Sequence, residues 1–216
     1  GCIAKAPAAA VVGFGRAAKI LLQFAHIMNE LSQLAAELGD FCDKRGWRSC
    51  VIGGFAVQHW GEPRMTMDVD LSLLTGFGEE EIFVDELLRH YAGRLPDAKN
   101  FALQNRVLLL RHHSGVGIDI ALGALPFEES AVNRSKLVEV EPGCVVRICT
   151  AEDLVVMKAF ANRVIDWHDV RGVIVRQGSA KMDWRYIQEE LAPLCEAKEE
   201  PEILDRLISL KRELEA

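Results

Sequence analysis

Asp68 and Asp70, with Val69 between them, open an apolar run that continues Leu71-Ser72-Leu73-Leu74. In a β-strand successive side chains alternate faces, so both carboxylates point one way while Val69 and Leu71 point into a core. Two like charges roughly 5–6 Å apart repel by about 3 kcal/mol at an effective dielectric near 20. Protonation, a neighbouring cation or a bridging divalent metal relieves that repulsion. Paired carboxylates suit Mg²⁺, which takes one or two protein oxygens and completes its octahedron with water and substrate phosphates. A bare Asp-x-Asp also describes a solvated strand end, so the pair needs company to mean chemistry.

Two further features supply it. Gly53-Gly54 follows the apolar stretch Val51-Ile52 and precedes the helix-compatible Phe55-Ala56-Val57-Gln58-His59-Trp60, a placement in which backbone N–H groups at a helix start can face a phosphate. Asp119 stands alone in the apolar run Val116-Gly117-Ile118-Asp119-Ile120-Ala121-Leu122. Burying an unpaired carboxylate costs several kcal/mol, so Asp119 needs a partner. A neighbouring strand that carries Asp68 and Asp70 would make three carboxylates around one or two metals.

The order Gly-Gly, Asp-x-Asp, then a lone Asp in a later strand resembles the DNA polymerase β type nucleotidyltransferase superfamily. The longer string from Gly53 to Asp70, which includes Ala56, Gly61, Arg64 and Thr66, is similar to the minimal bacterial nucleotidyltransferases that include AbiEii-type toxins. The resemblance implies an α/β (α+β) fold, a small mixed β-sheet with helices, followed by a C-terminal helical region. It implies a metal-dependent enzyme that moves a nucleoside monophosphate from a nucleoside triphosphate such as ATP to an acceptor, with Mg²⁺ or Mn²⁺ as cofactor. Asp68, Asp70 and Asp119 would be catalytic and ligate metal, Asp119 also serving as base. Gly53, Gly54, Arg64, Thr66, Lys158 and Arg163 would serve the nucleotide. One departure stands out: Gly54 replaces the serine usual in the family's phosphate loop, removing a hydroxyl contact.

The acceptor implied for a toxin-like member is tRNA or another RNA, with a cognate antitoxin as partner. Small-molecule transfer of the antibiotic-modifying type, transfer to protein, and a non-catalytic nucleotide- or partner-binding role are the alternatives. The net charge of −7 and pI near 5.4 argue against a broad nucleic-acid surface and allow a local basic groove.

The rest of the chain must position these residues. With half its residues apolar and a quarter charged, it has the balance of a globular protein large enough for a substantial core. No apolar run approaches the roughly 20 residues of a membrane helix. Six cysteines lack Cys-x-x-Cys spacing, which points to reduced thiols and a cytoplasmic protein rather than disulfides or zinc. Residues 1–15 read as a disordered extension, 16–149 as the catalytic domain and 150–216 as the helical region; the first residues read as an extended or misassigned start, Met28 being a natural one.

Helical periodicity from Arg16 to Leu38 ends at Gly39, and a short helix covers Asp40 to Arg45. Strands are expected at Arg48–Ile52, from Asp68, at Val107–Leu110 and at Ile118–Leu122, with Gly93 to Asn100 a loop. Leu137–Val140 and Val145–Cys149 form a hairpin. Thr150 and Asp153 form a capping box for a helix carrying Lys158 on or beside its apolar stripe, where a snorkelling lysine is the plain alternative. Lys158, Arg163, Asp166 and Asp169 match in order a Lys…Arg…Asp-x-x-Asp arrangement of AbiEii-like proteins. Helix capping with a salt bridge to Arg163 or Arg171 is the other reading of the two aspartates. Asp183–Cys195 and Glu199–Leu214 read as amphipathic helices broken by Pro193 and Pro201.

Overall fold

The computed structural model describes the chain from residue 8 onward, with side chains from residue 26 and at residue 18. Strands β1 (Ser49–Ile52), β2 (Asp68–Leu74), β3 (Ala92–Gly93), β4 (Val107–Arg111), β5 (Gly117–Gly123), β6 (Lys136–Glu141) and β7 (Cys144–Ile148) make one mixed sheet in the order β3-β4-β5-β2-β1-β7-β6. The expected α/β architecture is present. β2 pairs parallel with β5 and antiparallel with β1, while β1 pairs parallel with β7.

Alternation along β2 and β5 builds the centre of the protein. Val69, Leu71 and Leu73 are buried with Ile118, Ile120 and Leu122, each side chain contributing about 1.5–3 kcal/mol by burial. The same alternation sends Asp68, Asp70 and Asp119 to the opposite face. Register is therefore fixed by the apolar face, since a slip by one residue would bury the aspartates.

Helix α1 (Ala8–Asp43) lays Leu31, Leu34, Ala35, Leu38 and Cys42 on the core. Two expectations change here. The disordered extension through Gly15 falls partly on residues 1–7, outside the described residues, and from Ala8 the backbone is helical. Gly39 does not break the helix, and the separate helix expected at Asp40–Arg45 is the end of α1. A Cβ at Gly39 would meet nothing within 4 Å, so that turn has no crowding to bend it, and tertiary packing on both sides outweighs the propensity cost of about 1 kcal/mol.

Helix α2 (Gly53–Trp60) leads from β1 towards β2, and α3 (Glu80–His90) runs to the edge strand β3. The expected loop at Gly93–Asn100 overlaps helix α4 (Ala98–Asn105). Its buried Ala98 and Ala102 are the i, i+4 pair of a short helix of weak apolar periodicity. Helix α5 (Pro126–Arg134) precedes the β6–β7 hairpin.

Four helices follow: α6 (Ala151–Ala161), α7 (Val164–Gln177), α8 (Trp184–Lys198) and α9 (Glu202–Glu215). The Thr150 cap is formed as expected: the Asp153 N–H donates to Thr150 Oγ1 at 3.2 Å and the Thr150 N–H to Asp153 Oδ2 at 3.2 Å. Pro193 lies inside α8 and does not break it. Burial of Ile187, Leu191 and Cys195 offsets the roughly 3 kcal/mol that an interior proline costs. Ile203 and Leu207 of α9 share one continuous apolar core with the sheet. Among the described residues Cys42, Cys50, Cys144, Cys149 and Cys195 are free thiols, and no helix is long and apolar enough to cross a membrane.

Candidate active site

The parallel pairing of β2 and β5 sets Asp70 directly beside Asp119 and Asp68 beside Gly117. Adjacent strands lie about 4.8 Å apart, so the three carboxylates expected from the sequence are neighbours on one face. Between Asp70 and the start of α2 the backbone comes very close. The Gly54 N–H donates to Asp70 Oδ2 at 3.2 Å, which gives α2 a carboxylate at its positive end. Gly53 holds φ at +62°, and a Cβ there would lie 2.6 Å from Asp70 Cβ and overlap the carboxylate. Both its conformation and its lack of a side chain are therefore required.

The departure at Gly54 has a local reason. A Cβ on residue 54 would stand 2.6 Å from Thr66 Oγ1, so the threonine hydroxyl occupies the space beside that backbone. Thr66 is buried, and its Oγ1 donates to Asp68 Oδ1 at 2.8 Å. Thr66 orients a carboxylate of the pair.

This face carries charge it does not neutralise. Burial, then the neighbouring Asp68, push the Asp70 carboxyl up to about 6, with Asp119 adding to the rise and the Gly54 N–H and Lys158 opposing it. Burial likewise raises Asp119, against the pull of Arg94 and with a push from Asp68. Raised carboxyl values of this kind collect at functional sites, where geometry is held against electrostatic cost.

Behind Asp70 lies a second charged cluster of the opposite character. Lys158 of α6 reaches Asp166 Oδ1 at 3.2 Å and Asp169 Oδ2 at 2.9 Å, both on α7. Arg64, from the segment before β2, clasps Asp169 with Nε at 2.7 Å and Nη2 at 2.9 Å. Arg163 does the same to Asp166, at 2.6 Å and 3.0 Å. Burial alone would raise both aspartates, but the guanidinium and ammonium partners outweigh it and hold both below the ordinary carboxylate range. Lys158 is thus no snorkelling lysine: it is buried between two carboxylates. Asp166 forms the expected bridge to Arg163, whereas Arg171 pairs with Glu213. The field of Asp70 reaches both Arg64 and Arg163, so the two clusters are electrostatic neighbours.

All the residues expected at the site from the sequence therefore gather at one end of the sheet. Arg94, which follows β3, was not among them. Its guanidinium Nη2 donates to Asp119 Oδ1, and no spacing in the sequence links a post-helix arginine to a strand aspartate. A divalent cation fits Asp68 and Asp70, which are hard oxygen donors held side by side with a surplus of negative charge. Among the described residues no group of three or more His, Cys, Asp or Glu side chains is arranged to hold a metal ion. Each aspartate of the trio is turned to its own donor, Asp68 to Thr66, Asp70 to the Gly54 N–H and Asp119 to Arg94. A surface cavity of about 670 Å³, lined among others by Glu37, Phe41, Tyr91, Arg111 and His112, contains none of these residues.

No protein-family model and no curated protein matches the chain. Among solved structures it is similar to an antigenic nucleotidyltransferase-like protein from Paracoccidioides brasiliensis, with 17% identity, 85% of this chain and 93% of that one covered, and a TM-score of 0.48. It is also similar to the antibiotic-resistance factor ANT(2'')-Ia in solution, with 17% identity, coverage of 90% and 97%, and a TM-score of 0.36. For ANT(2'')-Ia in complex with adenylyl-2''-tobramycin the values are 18%, 91%, 99% and 0.34. The first of these neighbours is nucleotidyltransferase-like by description, and all are distant from this chain in sequence.

Proposed function

We propose that the protein is a nucleotidyltransferase that uses Mg²⁺ or Mn²⁺ to transfer a nucleoside monophosphate from a nucleoside triphosphate to an acceptor. The observation that supports it most is Asp70 beside Asp119 across β2 and β5, with Asp68 two residues away and the glycine-led start of α2 against the same carboxylate. A site that holds three carboxylates together, one raised to about 6, gains most from a ligand that brings positive charge.

Asp68 and Asp70 would hold a divalent cation, which when bound supplies Lewis-acid polarisation of the α-phosphate and charge neutralisation of the triphosphate. The chain's own groups do the rest. Asp119, raised above its ordinary value, takes the proton of the attacking group as the new phosphorus–oxygen or phosphorus–nitrogen bond forms and pyrophosphate leaves. Thr66 keeps Asp68 in place, and the Gly53-Gly54 turn lets backbone approach the phosphates without a side chain between. Arg163, with its side chain 69% exposed, is the cation best placed to reach the triphosphate. Lys158 and Arg64 act from behind it as fixed positive charge.

A toxin-like role, with tRNA or another RNA as acceptor and a cognate antitoxin as partner, rests on the likeness of the Gly53–Asp70 string to AbiEii-type proteins. The net charge of −7 favours a second reading, transfer to a small molecule or a protein side chain. Free thiols at five cysteines suit work in a reducing cytoplasm. The test is incubation with each α-labelled nucleoside triphosphate and Mg²⁺, together with total tRNA, an aminoglycoside panel, or the protein alone. Label on one acceptor that disappears with Asp70→Asn supports the assignment and names the acceptor class. Absence of transfer in every arm, together with no thermal shift by nucleotide and Mg²⁺, would sink it.

A further inference from the structure

We infer that Arg94 takes the place of a second cation, so that the site holds one divalent ion, on Asp68 and Asp70, while Asp119 stays paired with Arg94. The inference rests on the metal reading given above and adds the number of ions and the residue that sets it.

Four observations carry it. The Arg94 guanidinium donates from Nη2 to Asp119 Oδ1, and its side chain is only 25% exposed. Its Nη1 lies 3.3 Å from the point where a Cβ on Gly117 would stand, and Asp68 Cβ lies 3.3 Å from that same point. The guanidinium thus uses the gap that Gly117 leaves open and lies between the third carboxylate and the first. The backbone N–H of Arg94 donates to Leu109 O at 2.9 Å, which ties the root of the side chain to β4, the strand that pairs with Asp119. Lastly, the charges match: three carboxylates against one guanidinium leave the charge that one divalent ion cancels. A second ion beside Asp119 would face an adjacent guanidinium of like sign.

Arg94 Nε is buried and has no hydrogen-bond partner among the described residues. A guanidinium chosen purely to brace the fold would be expected to satisfy that donor. Here it is held by charge, and charge is the property a metal would otherwise provide.

The experiment is a count of Mn²⁺ bound per chain by electron paramagnetic resonance on the full protein without nucleotide. The wild type is expected to bind one ion and Arg94→Ala two, the second on the freed Asp119. Arg94→Ala/Asp119→Asn, which removes both charges of the pair together, is expected to bind one ion with the wild-type affinity; it supplies the answer if the single variant does not fold. Two ions on the wild type, a single ion on folded Arg94→Ala, or a loss of about tenfold or more in the affinity of the double variant would overturn the role of Arg94. No ion on any of the three proteins would overturn the metal reading itself. The two failures are therefore distinguishable without any measure of turnover.

Discussion

Two clusters of aspartates stand next to each other in this protein and are treated in opposite ways. Asp166 and Asp169 are buried on α7, each gripped by an arginine and by the shared Lys158, and are held below the ordinary carboxylate range. Asp68, Asp70 and Asp119 are set side by side on the sheet with one guanidinium among them, and Asp70 is pushed up to about 6. The first cluster pairs both of its carboxylates, keeps one cation in excess and fastens α6 and α7 to the segment that enters β2. The second retains unspent charge at an accessible face. Burial of carboxylates alone therefore does not mark a site; a surplus of carboxylates over the cations around them does.

The largest expected effect tests that contrast by activity. Asp70→Asn should reduce nucleotidyl transfer at least about 10³-fold, roughly 4 kcal/mol in the barrier, with the fold intact by circular dichroism. Full transfer by the variant would place Asp70 with the structural pair. Asp169→Ala should act in the other direction. It leaves Arg64 without its carboxylate and Lys158 with Asp166 alone, and should lower unfolding free energy by about 3–5 kcal/mol, read by urea denaturation; a loss under about 1 kcal/mol would mean that the cluster is not a brace.

Stability against pH sharpens the comparison further. Asp70 has a folded value near 6, above the unfolded value, so the folded state binds the extra proton and the contribution of Asp70 falls as pH rises from about 4 to 6. Asp70→Asn should therefore be more stable than wild type at pH 8, by up to about 3 kcal/mol, and no more stable below about pH 4. Asp166 and Asp169 have depressed values, so what they contribute is present above about pH 4 and lost as pH falls through their folded values. Their replacement should be costly at pH 8 and cheap in acid. The smallest effect belongs to Arg163→Lys. That side chain is largely exposed, and loss of its bidentate grip should cost at most about 1 kcal/mol of stability, while the KM for nucleotide rises if it meets the triphosphate.

Much of this was legible in the chain itself because the signals were local. Alternation in Asp68–Leu74 and Gly117–Gly123 gives strands, an inward apolar face and an outward acidic one, and Gly53-Gly54 announces a tight turn into a helix. Thr150 and Asp153 announce a cap. What escaped was non-local or unpatterned. Arg94 has no neighbour in sequence that points to Asp119. The helix at Ala98–Asn105 is short, and its buried i, i+4 pair is two small alanines, so its periodicity is weak. Gly39 and Pro193 are breakers by propensity, yet both lie within helices because packing elsewhere along α1 and α8 decides the matter. Lys158 sits on an apolar stripe in the sequence, and its burial between two aspartates follows from the way α6 meets α7.

The parallel pairing of β2 with β5 has a consequence for how the protein assembles. α3, β3, α4 and β4 all come between the two strands, so Asp70 meets Asp119 only after a long loop has closed. Until that moment Asp70 is solvated, and the transition state that joins the strands bears first the cost of burying it and then the repulsion of the neighbouring carboxylates. Refolding should then be faster near pH 5, where the closed site takes up a proton on Asp70, than near pH 8, and Asp70→Asn should remove most of that difference in stopped-flow kinetics. Equal rates at the two pH values would mean that the strands join before the acidic face closes.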